Sequence, residues 1–446
     1  MTTIKLIDAP TGAGKTTALI HTLSKTFNTF RETNRRFIIL TPYLDEVTRY
    51  IEAFAQRGIE VDAPTGTRGA KGIELVDLLR QGKNVIGSHA LLQCNYTRLM
   101  EALSSSEIHY RYSLYIDEEP GIIITEGMEA NDQANNKGLY APVSGLSFED
   151  LRLMKDKGLI TLKAIPTDTE TRELYRINVP ATLPKGSPSV LSFFVPFFRN
   201  NSVYWISEKG DQHQGQLLPF FPADFWQLFD DVAVMSYRLH YSFFYAYCNL
   251  FSLPVTFYHV NEDMTAFKEG YRDLKPLGLE RIQVRDVKGL DNLKGSLSYS
   301  WYNKATKEDF KTIKRIMLWI TRQYNSSALL WTTFKGAKGK LKDKNHGLSD
   351  KNFLAHNATA TNDYKDKTAI IYALNKYLNP ITKGYWETLG QHLDSEQYAL
   401  SSLIQFVWRS NIRDSKSNKT IDIYFLSNRM KSLFTSWLNE EKDQAN

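Results

Sequence analysis

The chain has 446 residues with 42% hydrophobic and 23% charged side chains, enough to bury more than one hydrophobic core. Its net charge of +6 suits a polyanionic partner without requiring one. Cys94 and Cys248 lack metal-ligand spacing, which argues against a disulfide framework and against structural zinc. The sequence has no leader-like start and no apolar run of roughly 18 residues, so we expect a cytoplasmic protein.

The first predicted element is a phosphate-binding loop between a strand and a helix. Residues 4–7 predict a short buried strand, residues 9–17 read APTGAGKTT, and residues 18–20 begin a helix. Strand, glycine loop and helix are the context in which such a loop binds nucleotide phosphates. Lys15 would reach the β- and γ-phosphates, and the hydroxyl of Thr16 would ligate Mg²⁺. The residues predicted to bind the nucleotide are Thr11, Gly12, Ala13, Gly14, Lys15, Thr16 and Thr17.

Strands and helices alternate after this loop, and then the pattern breaks. Continuous apolar runs at 37–40 and 114–116 predict buried parallel strands. We interpret 127–226 as an inserted subdomain whose aromatic rings mainly form core, with one or two exposed rings as a candidate strand-splitting wedge. The aromatic residues concerned are Phe193, Phe194, Phe197, Phe198, Tyr204, Trp205, Phe220, Phe221, Phe225 and Trp226.

The rest of the sequence predicts a return to the first sheet and then a second α/β unit. Strands are predicted at 231–236, 255–260, 328–331 and 421–425, and helices at 308–324, 368–378, 395–408 and 429–438. The expected fold class is α/β with mostly parallel sheets. We expect lobe 1 at 1–126 and 227–262, an accessory subdomain at 127–226, and lobe 2 at 263–446.

An acidic pair follows the predicted strand at 114–116. A nucleotide site needs one carboxylate near the magnesium hydration shell and another that orients the attacking water. We assign Asp117 to the metal and Glu118 to the water as a base, with Glu119 in a supporting role. The alternative is an ordinary solvated acidic turn.

Positive charge for the γ-phosphate is predicted far along the chain. Gln405, Arg409 and Arg413 are four residues apart, so on a helix they share one face. An arginine donated to the transition state raises phosphoryl-transfer rates by about 10³ to 10⁵. The alternative is a solvated helix face that bears two arginines.

These motifs together resemble those of superfamily 2 (DExx-box) helicases. Residues 9–16 are similar to motif I, 117–120 to the DExx box and 405–413 to motif VI. Weaker likenesses are residues 40–43 to motif Ia, 87–89 to the strand-exit motif that follows it, 234–236 to motif III, 329–334 to motif IV and 358–362 to motif V. The resemblance implies two RecA-like P-loop lobes with parallel sheets, plus the inserted aromatic-rich β/α+β subdomain.

The resemblance also implies contacts to nucleic acid, because motifs Ia and V hold the backbone of a single strand in these helicases. Hydroxyl and amide groups suit phosphate oxygens without reading sequence. For His89 the alternative is a satisfied structural histidine. The residues implied are Thr41, Pro42, Tyr43, His89, Thr361 and Asn362.

Departures from the family pattern narrow the resemblance. The two arginines of motif VI are usually three apart, whereas Arg409 and Arg413 are four apart, which leaves open which one is the arginine finger. Motif III lacks a clear Ser-Ala-Thr, and the short segment before Ala9 leaves no room for the upstream glutamine motif of DEAD-box proteins. The compact chain and divergent motifs resemble helicases of bacteriophages or prophages.

We therefore expect an ATP hydrolase with Mg²⁺ as cofactor that translocates on, or unwinds, single-stranded or forked DNA. Replication or recombination proteins are candidate partners. One alternative is a nucleotide-gated DNA-binding or replication accessory protein that does not unwind. A phage DNA-packaging ATPase and a small-molecule kinase are further alternatives, although no acidic cluster for a packaging nuclease follows residue 300.

Overall fold

The computed structural model describes residues 2–66, 70–123, 146–167, 171–183, 195–272, 276–357, 363–414 and 416–443. Within these ranges, none of the helices has the length and apolar character needed to cross a lipid bilayer.

The first part of the chain alternates strands and helices, as predicted. Its elements are β1 (Ile4–Asp8), α1 (Lys15–Glu32), β2 (Arg35–Thr41), α2 (Leu44–Ala55), α3 (Lys71–Arg80), β3 (Val85–Ser88), α4 (His89–Ser104) and β4 (Arg111–Asp117). The middle part contains α5 (Phe148–Asp156), β5 (Thr161–Ile165), β6 (Arg172–Asn178), α6 (Val195–Asn200), β7 (Ser202–Glu208) and β8 (Asp211–Phe220). Next come β9 (Asp231–Ser236), α7 (Phe243–Leu250), β10 (Val255–Val260) and β11 (Phe267–Glu269).

The last part carries a second set of strands and helices. Its elements are β12 (Ile282–Arg285), α8 (Tyr299–Lys304), α9 (Lys307–Thr321), β13 (Leu329–Thr332), α10 (Lys335–Leu341), β14 (Ala369–Tyr372), α11 (Pro380–Thr388), α12 (Ser395–Val407), β15 (Ile421–Phe425) and α13 (Asn428–Asp443).

A seven-stranded sheet forms the first lobe, with strand order β11-β10-β1-β9-β4-β2-β3. All neighbours pair in parallel except β10 and β11. The pairing with β11 extends this sheet to Glu269, past the predicted end of lobe 1 at residue 262. Asp8 of β1 pairs with Ser236 of β9, and Asp117 of β4 pairs with Met235. The ends of these three strands therefore meet at one edge of the sheet, where ligands of parallel α/β folds usually bind.

The inserted subdomain is a four-stranded antiparallel sheet with strand order β5-β6-β7-β8. Aromatic side chains fill its core, where Phe148 packs against Trp205 with ring centroids 5.6 Å apart. The other rings predicted as core are buried too, from Phe197 through Trp226. Phe193 and Phe194 lie outside the described residues.

The second lobe is a four-stranded parallel sheet with strand order β12-β15-β14-β13. The predicted helix at 368–378 is wrong, because residues 369–372 form β14 at the centre of this sheet. Every residue of β14 is buried, and a strand covered on both faces has the same continuous apolar sequence as a buried helix. Its neighbours on both sides, rather than its own periodicity, decide the strand conformation.

Helices α11 and α12 of the second lobe pack against the first lobe and the inserted subdomain. The ring of Trp386 lies 5.4 Å from that of Phe220 and 5.8 Å from that of Phe243. Tyr398 of α12 also packs on Phe243, at 5.7 Å. The fold class is confirmed: two α/β lobes with parallel sheets plus an inserted β-rich subdomain.

Candidate nucleotide-binding site

The loop after β1 has the backbone of a phosphate-binding loop. Gly12 and Gly14 adopt positive φ values of 89° and 81°, which glycine tolerates best. A Cβ atom on Gly14 would also lie 2.6 Å from the sulfur of Met264. Lys15 is 8% exposed, and its ammonium donates to the carbonyl oxygens of Ala9 and Pro10, at 2.6 and 3.1 Å. The positive charge of Lys15 therefore lies beneath the loop, and burial lowers the pKa of Lys15.

The acidic pair at the end of β4 faces this loop. The Oδ2 atom of Asp117 accepts hydrogen bonds from the hydroxyls of Thr16 and Tyr50, at 3.2 and 3.0 Å. Burial and the neighbouring Glu118 raise the pKa of Asp117 to about 6. A buried carboxylate that contacts the loop threonine is a position where a cation would relieve the cost of burying the charge.

The side chain of Glu118 points in a different direction from that of Asp117, because the Glu118 backbone is left-handed, with φ of 69°. Its Oε2 atom accepts a hydrogen bond from the Ser236 hydroxyl at 2.9 Å, and its amide donates to the carbonyl of Met235. Glu119 turns away and accepts from the amide of Phe244 at 2.8 Å, so it caps α7. Asp117 and Glu118, but not Glu119, line a cavity beside the loop, which we call the nucleotide cavity.

The second lobe contributes two arginines to the same cavity, although not from one helix face. The prediction that Gln405, Arg409 and Arg413 share a helical face is wrong, because α12 ends at Val407. The Ser410 hydroxyl donates to the carbonyl of Val407, and a 3₁₀ turn follows over Asn411–Arg413. This turn redirects the chain and brings both arginines to the cavity by another path.

The two arginines occupy different places in the cavity. Arg409 is 2% exposed, and its guanidinium lies 3.8 Å from the Oε1 atom of Glu118. Arg413 lies over the loop, since a Cβ atom on Gly12 would be 3.7 Å from its Cγ. Burial, followed by the charges of Arg409 and Arg49, lowers the pKa of Arg413. Gln405 is not in this cavity; it lines a second one between the lobes.

The cavity between the loop, the acidic pair and the arginines has a volume of about 500 Å³. Helix α2 supplies further polar side chains that sequence reasoning missed: Glu46 and Arg49 form an ion pair, and the Arg49 guanidinium lies 3.5 Å from the Thr16 hydroxyl. One signal was present in the sequence. Glu46, Arg49 and Tyr50 fall on adjacent turns of a helix that starts directly after residues 40–43.

The oxygens present fit Mg²⁺ together with a nucleotide. Thr16 and Asp117 supply a hydroxyl and a carboxylate 3.2 Å apart, which suits a hard cation. Among the described residues no group of three or more His, Cys, Asp or Glu side chains could hold a metal without other ligands. Magnesium usually takes one or two protein ligands and completes its shell with phosphates and water, so the small set is consistent with it.

The residues implied as nucleic-acid contacts lie in different surroundings. Thr41 is fully buried and its hydroxyl donates to the carbonyl of Tyr43 at 2.9 Å, whereas Tyr43 itself is 44% exposed. Pro42 lines the nucleotide cavity. The Nε2 atom of His89 lies 2.8 Å from the backbone oxygen of Asp117, an arrangement that braces two strand ends. Thr361 and Asn362 lie outside the described residues.

Comparison with known proteins gives related sequences and folds. Residues 279–438 match the family model described as the YonV C-terminal Rossmann-like domain. The SPbeta prophage-derived protein YonV of Bacillus subtilis (strain 168) is 26% identical over 460 residues, which cover 99% of this chain and 100% of YonV. A solved XPD helicase aligns at 12% identity with a TM-score of 0.48, over 99% of this chain and 95% of its own. Xpd4 of S. tokodaii aligns at 12% identity with a TM-score of 0.45, over 98% and 94%.

Proposed function

We propose that the chain hydrolyses ATP between its two lobes and uses the cycle to move along, or unwind, single-stranded or forked DNA. The observation that supports this most is a shared cavity: Arg409 and Arg413 of the second lobe line it together with Lys15, Asp117 and Glu118 of the first. A site built from two lobes couples hydrolysis to their relative position, which a simple kinase site does not need.

The residues divide the chemistry between them. Lys15 exchanges the carbonyls of Ala9 and Pro10 for the β- and γ-phosphates, which are charged and therefore stronger acceptors. Thr16 and Asp117 would hold Mg²⁺, which when bound would supply positive charge at the phosphate oxygens. Glu118 orients the attacking water and accepts its proton.

The arginines link this chemistry to motion. The cations that line the cavity are Lys15, Arg49, Arg57, Arg409 and Arg413, and a bound polyanion would offset the repulsion among them. A nucleotide triphosphate therefore favours the closed arrangement of the lobes, and loss of the γ-phosphate weakens that preference. Each cycle would shift one lobe relative to the other along a bound strand. Exposed Tyr43 in the first lobe, with Thr361 and Asn362 in the second, are the proposed grips.

The name of the similar protein YonV places it in a prophage, and on that ground we propose that this chain also serves a prophage. A net charge of +6 is compatible with a nucleic-acid partner.

The test is ATP hydrolysis measured alone and with single-stranded DNA, forked DNA or single-stranded RNA. We expect hydrolysis that nucleic acid stimulates several-fold and that Lys15→Ala abolishes. Hydrolysis without stimulation by any nucleic acid would reject the motor and leave a nucleotide-gated switch. Turnover of Lys15→Ala within a few fold of the parent would show that the site itself is wrongly assigned.

A further inference from the structure

A second cavity, of about 190 Å³, lies between the lobes beside the nucleotide cavity. We call it the interlobe cavity. Its first-lobe wall includes Glu119, Arg238 and Ser242, and its second-lobe wall includes His356, Lys376 and Gln405. A water molecule occupies roughly 30 Å³, so the space admits a group the size of a phosphate.

Lys376 is an unusual residue to find here. It is 8% exposed, its ammonium donates to the Ser402 hydroxyl, and it lies 4.7 Å from the centre of the Tyr398 ring. Burial lowers its pKa to about 8, and none of the described carboxylates offsets that shift. Contacts with one hydroxyl and one aromatic ring offset only part of the free-energy cost of burying the Lys376 ammonium.

Two further nitrogen atoms around the interlobe cavity have no hydrogen-bond partner within the described part of the chain, although another nitrogen of the Arg238 guanidinium donates to the Gln397 side chain and this guanidinium lies 4.9 Å from the centre of the Tyr241 ring. The Nε atom of Arg238 and the Nδ1 atom of His356 are buried and have no hydrogen-bond partner among the described residues. Glu119 is the acidic residue of the wall, and one of its oxygens already accepts from the amide of Phe244. Buried polar groups without partners are rare, and an absent ligand is one of their usual causes.

The backbone of Arg238 has an uncommon conformation that hydrogen bonds to Asp8 stabilise. Its φ of 57° is left-handed, which is uncommon for a residue with a side chain. The carboxylate of Asp8 accepts from the amides of Arg238 and Leu239, at 2.7 and 2.9 Å. Asp8 immediately precedes Ala9, whose carbonyl accepts from Lys15, so the nucleotide loop and Arg238 share one support.

We propose that the interlobe cavity is a binding site for one phosphate-type oxyanion, held by Lys376 and Arg238 with a hydrogen bond from His356. The anion has two candidate sources: a phosphodiester of a bound single strand, and free inorganic phosphate. The idea that a bound strand supplies the anion rests on the proposed function, whereas the anion site itself does not.

The site is coupled to the nucleotide cavity by neighbouring residues on shared elements. At the end of β4, Glu118 faces the nucleotide cavity and Glu119 the interlobe cavity. At the end of α12, Gln405 faces the interlobe cavity and Arg409 the nucleotide cavity. Because both cavities need the lobes together, an anion in one raises the affinity of the other, and the effect is reciprocal.

The test measures two ligands on matched variants. Binding of inorganic phosphate is measured by calorimetry in a Lys15→Ala background, which removes the competing loop lysine. Binding of a single-stranded oligonucleotide is measured by fluorescence anisotropy at several salt concentrations. The variants are Lys376→Met and Arg238→Met, and the controls are Lys383→Met and Arg322→Met, at more exposed positions of the second lobe.

We expect Lys376→Met and Arg238→Met each to weaken phosphate binding about ten-fold, and the controls to leave it unchanged. If the strand is the source, the affinity for the oligonucleotide also falls, and the slope of log affinity against log salt concentration decreases by the amount expected for about one phosphate contact. If free phosphate is the source, only the calorimetric affinity falls. Values within about two-fold of the controls for both ligands would overturn the site. Absence of DNA-stimulated hydrolysis would defeat the proposed function but not the phosphate result.

Discussion

The guanidinium of Arg409, from the second lobe, lies 3.8 Å from the carboxylate of Glu118, from the first. Arg409 is almost fully buried, and Glu118 also accepts a hydrogen bond from Ser236. The residue proposed to orient water is therefore held by one group from its own lobe and by one from the other. Under the proposed function, hydrolysis would depend on the contact between the lobes.

Arg413 and Arg409 should differ in their effects on turnover. Arg413 lies over Gly12 of the loop, so Arg413→Ala removes charge next to the phosphates, and we expect kcat to fall by about 10³ with ATP affinity nearly retained. Arg409→Lys keeps the charge near Glu118, and we expect a loss of about ten-fold. The measurement is steady-state hydrolysis with calorimetric binding of a slowly hydrolysed ATP analogue.

The control is Arg322→Ala, an exposed arginine at the end of α9. Arg413→Ala turnover that matches this control would show that Arg413 serves only the surface of the second lobe. Equal losses of kcat in Arg413→Ala and Arg409→Lys would contradict the different roles that we assign to the two arginines.

Ser236→Ala should lower turnover without destabilising the protein strongly. The Ser236 hydroxyl donates to the Glu118 carboxylate at 2.9 Å, and a hydrogen bond to a charged group is worth about 1.5–3 kcal/mol. We expect kcat to fall about ten-fold while KM changes little, because the bond orients the base rather than the nucleotide.

Ser207→Ala is the matched control, since Ser207 is also a buried strand serine but its hydroxyl has no partner among the described residues. If both serine variants keep full turnover, Glu118 does not need the hydrogen bond from Ser236. Thermal unfolding of the two variants separates an effect on stability from one on the site.

The first lobe follows from local sequence signals to a large extent. The glycine loop and the acidic strand end can be located because each motif combines an apolar strand with residues of special backbone or charge. Their proximity follows from the rule that parallel strands end at one edge of a sheet. The sequence predicts a strand at 231–236 that returns to the first sheet, but not its position between β1 and β4, which places Ser236 beside Glu118.

The second lobe is less predictable, for physical reasons that two segments illustrate. A four-residue spacing predicts one helix face for Gln405 and Arg409, but capping by Ser410 ends the helix, and a local hydrogen bond of this kind leaves no periodic signal. Residues 369–372 are apolar on every side, so their periodicity cannot separate strand from helix. The interlobe cavity depends on contacts between segments far apart in sequence.

Gly14→Ala should disrupt the loop by two separable effects. The φ of 81° costs an alanine about 1–2 kcal/mol, and the added Cβ would lie 2.6 Å from the sulfur of Met264. Gly210→Ala is the control, because Gly210 has the same φ of 81° and nothing within 4 Å of an added Cβ. We expect both variants to lose stability in urea unfolding, and Gly14→Ala alone to lose ATP binding. Full ATP binding by Gly14→Ala would show that the loop is free to rearrange.

Lys376 should make stability depend on pH in a defined window. Burial lowers its pKa from 10.5 to about 8, so between these values the unfolded chain binds more protons than the folded one. The destabilisation by Lys376 is therefore complete below pH 8 and fades as the pH rises toward 10.5. The other titratable groups around the interlobe cavity are Arg238, Glu119, His356, Tyr237, Tyr241 and Tyr398.

Lys376→Met removes this buried charge and keeps most of the side-chain volume. In phosphate-free buffer we expect the variant to be more stable than the parent by about 3 kcal/mol at pH 7, since one pKa unit corresponds to about 1.4 kcal/mol. The difference should shrink steadily between pH 8 and pH 10.5, the window set by the shifted pKa. Urea unfolding of the two proteins across this range is the measurement, with Lys383→Met as the exposed control. A constant difference at every pH would mean that burial does not lower the pKa of Lys376 in the folded protein. Added phosphate, tested in a Lys15→Ala background, should stabilise the protein that keeps Lys376 more than the Lys376→Met variant, because only the former retains the ammonium that binds it.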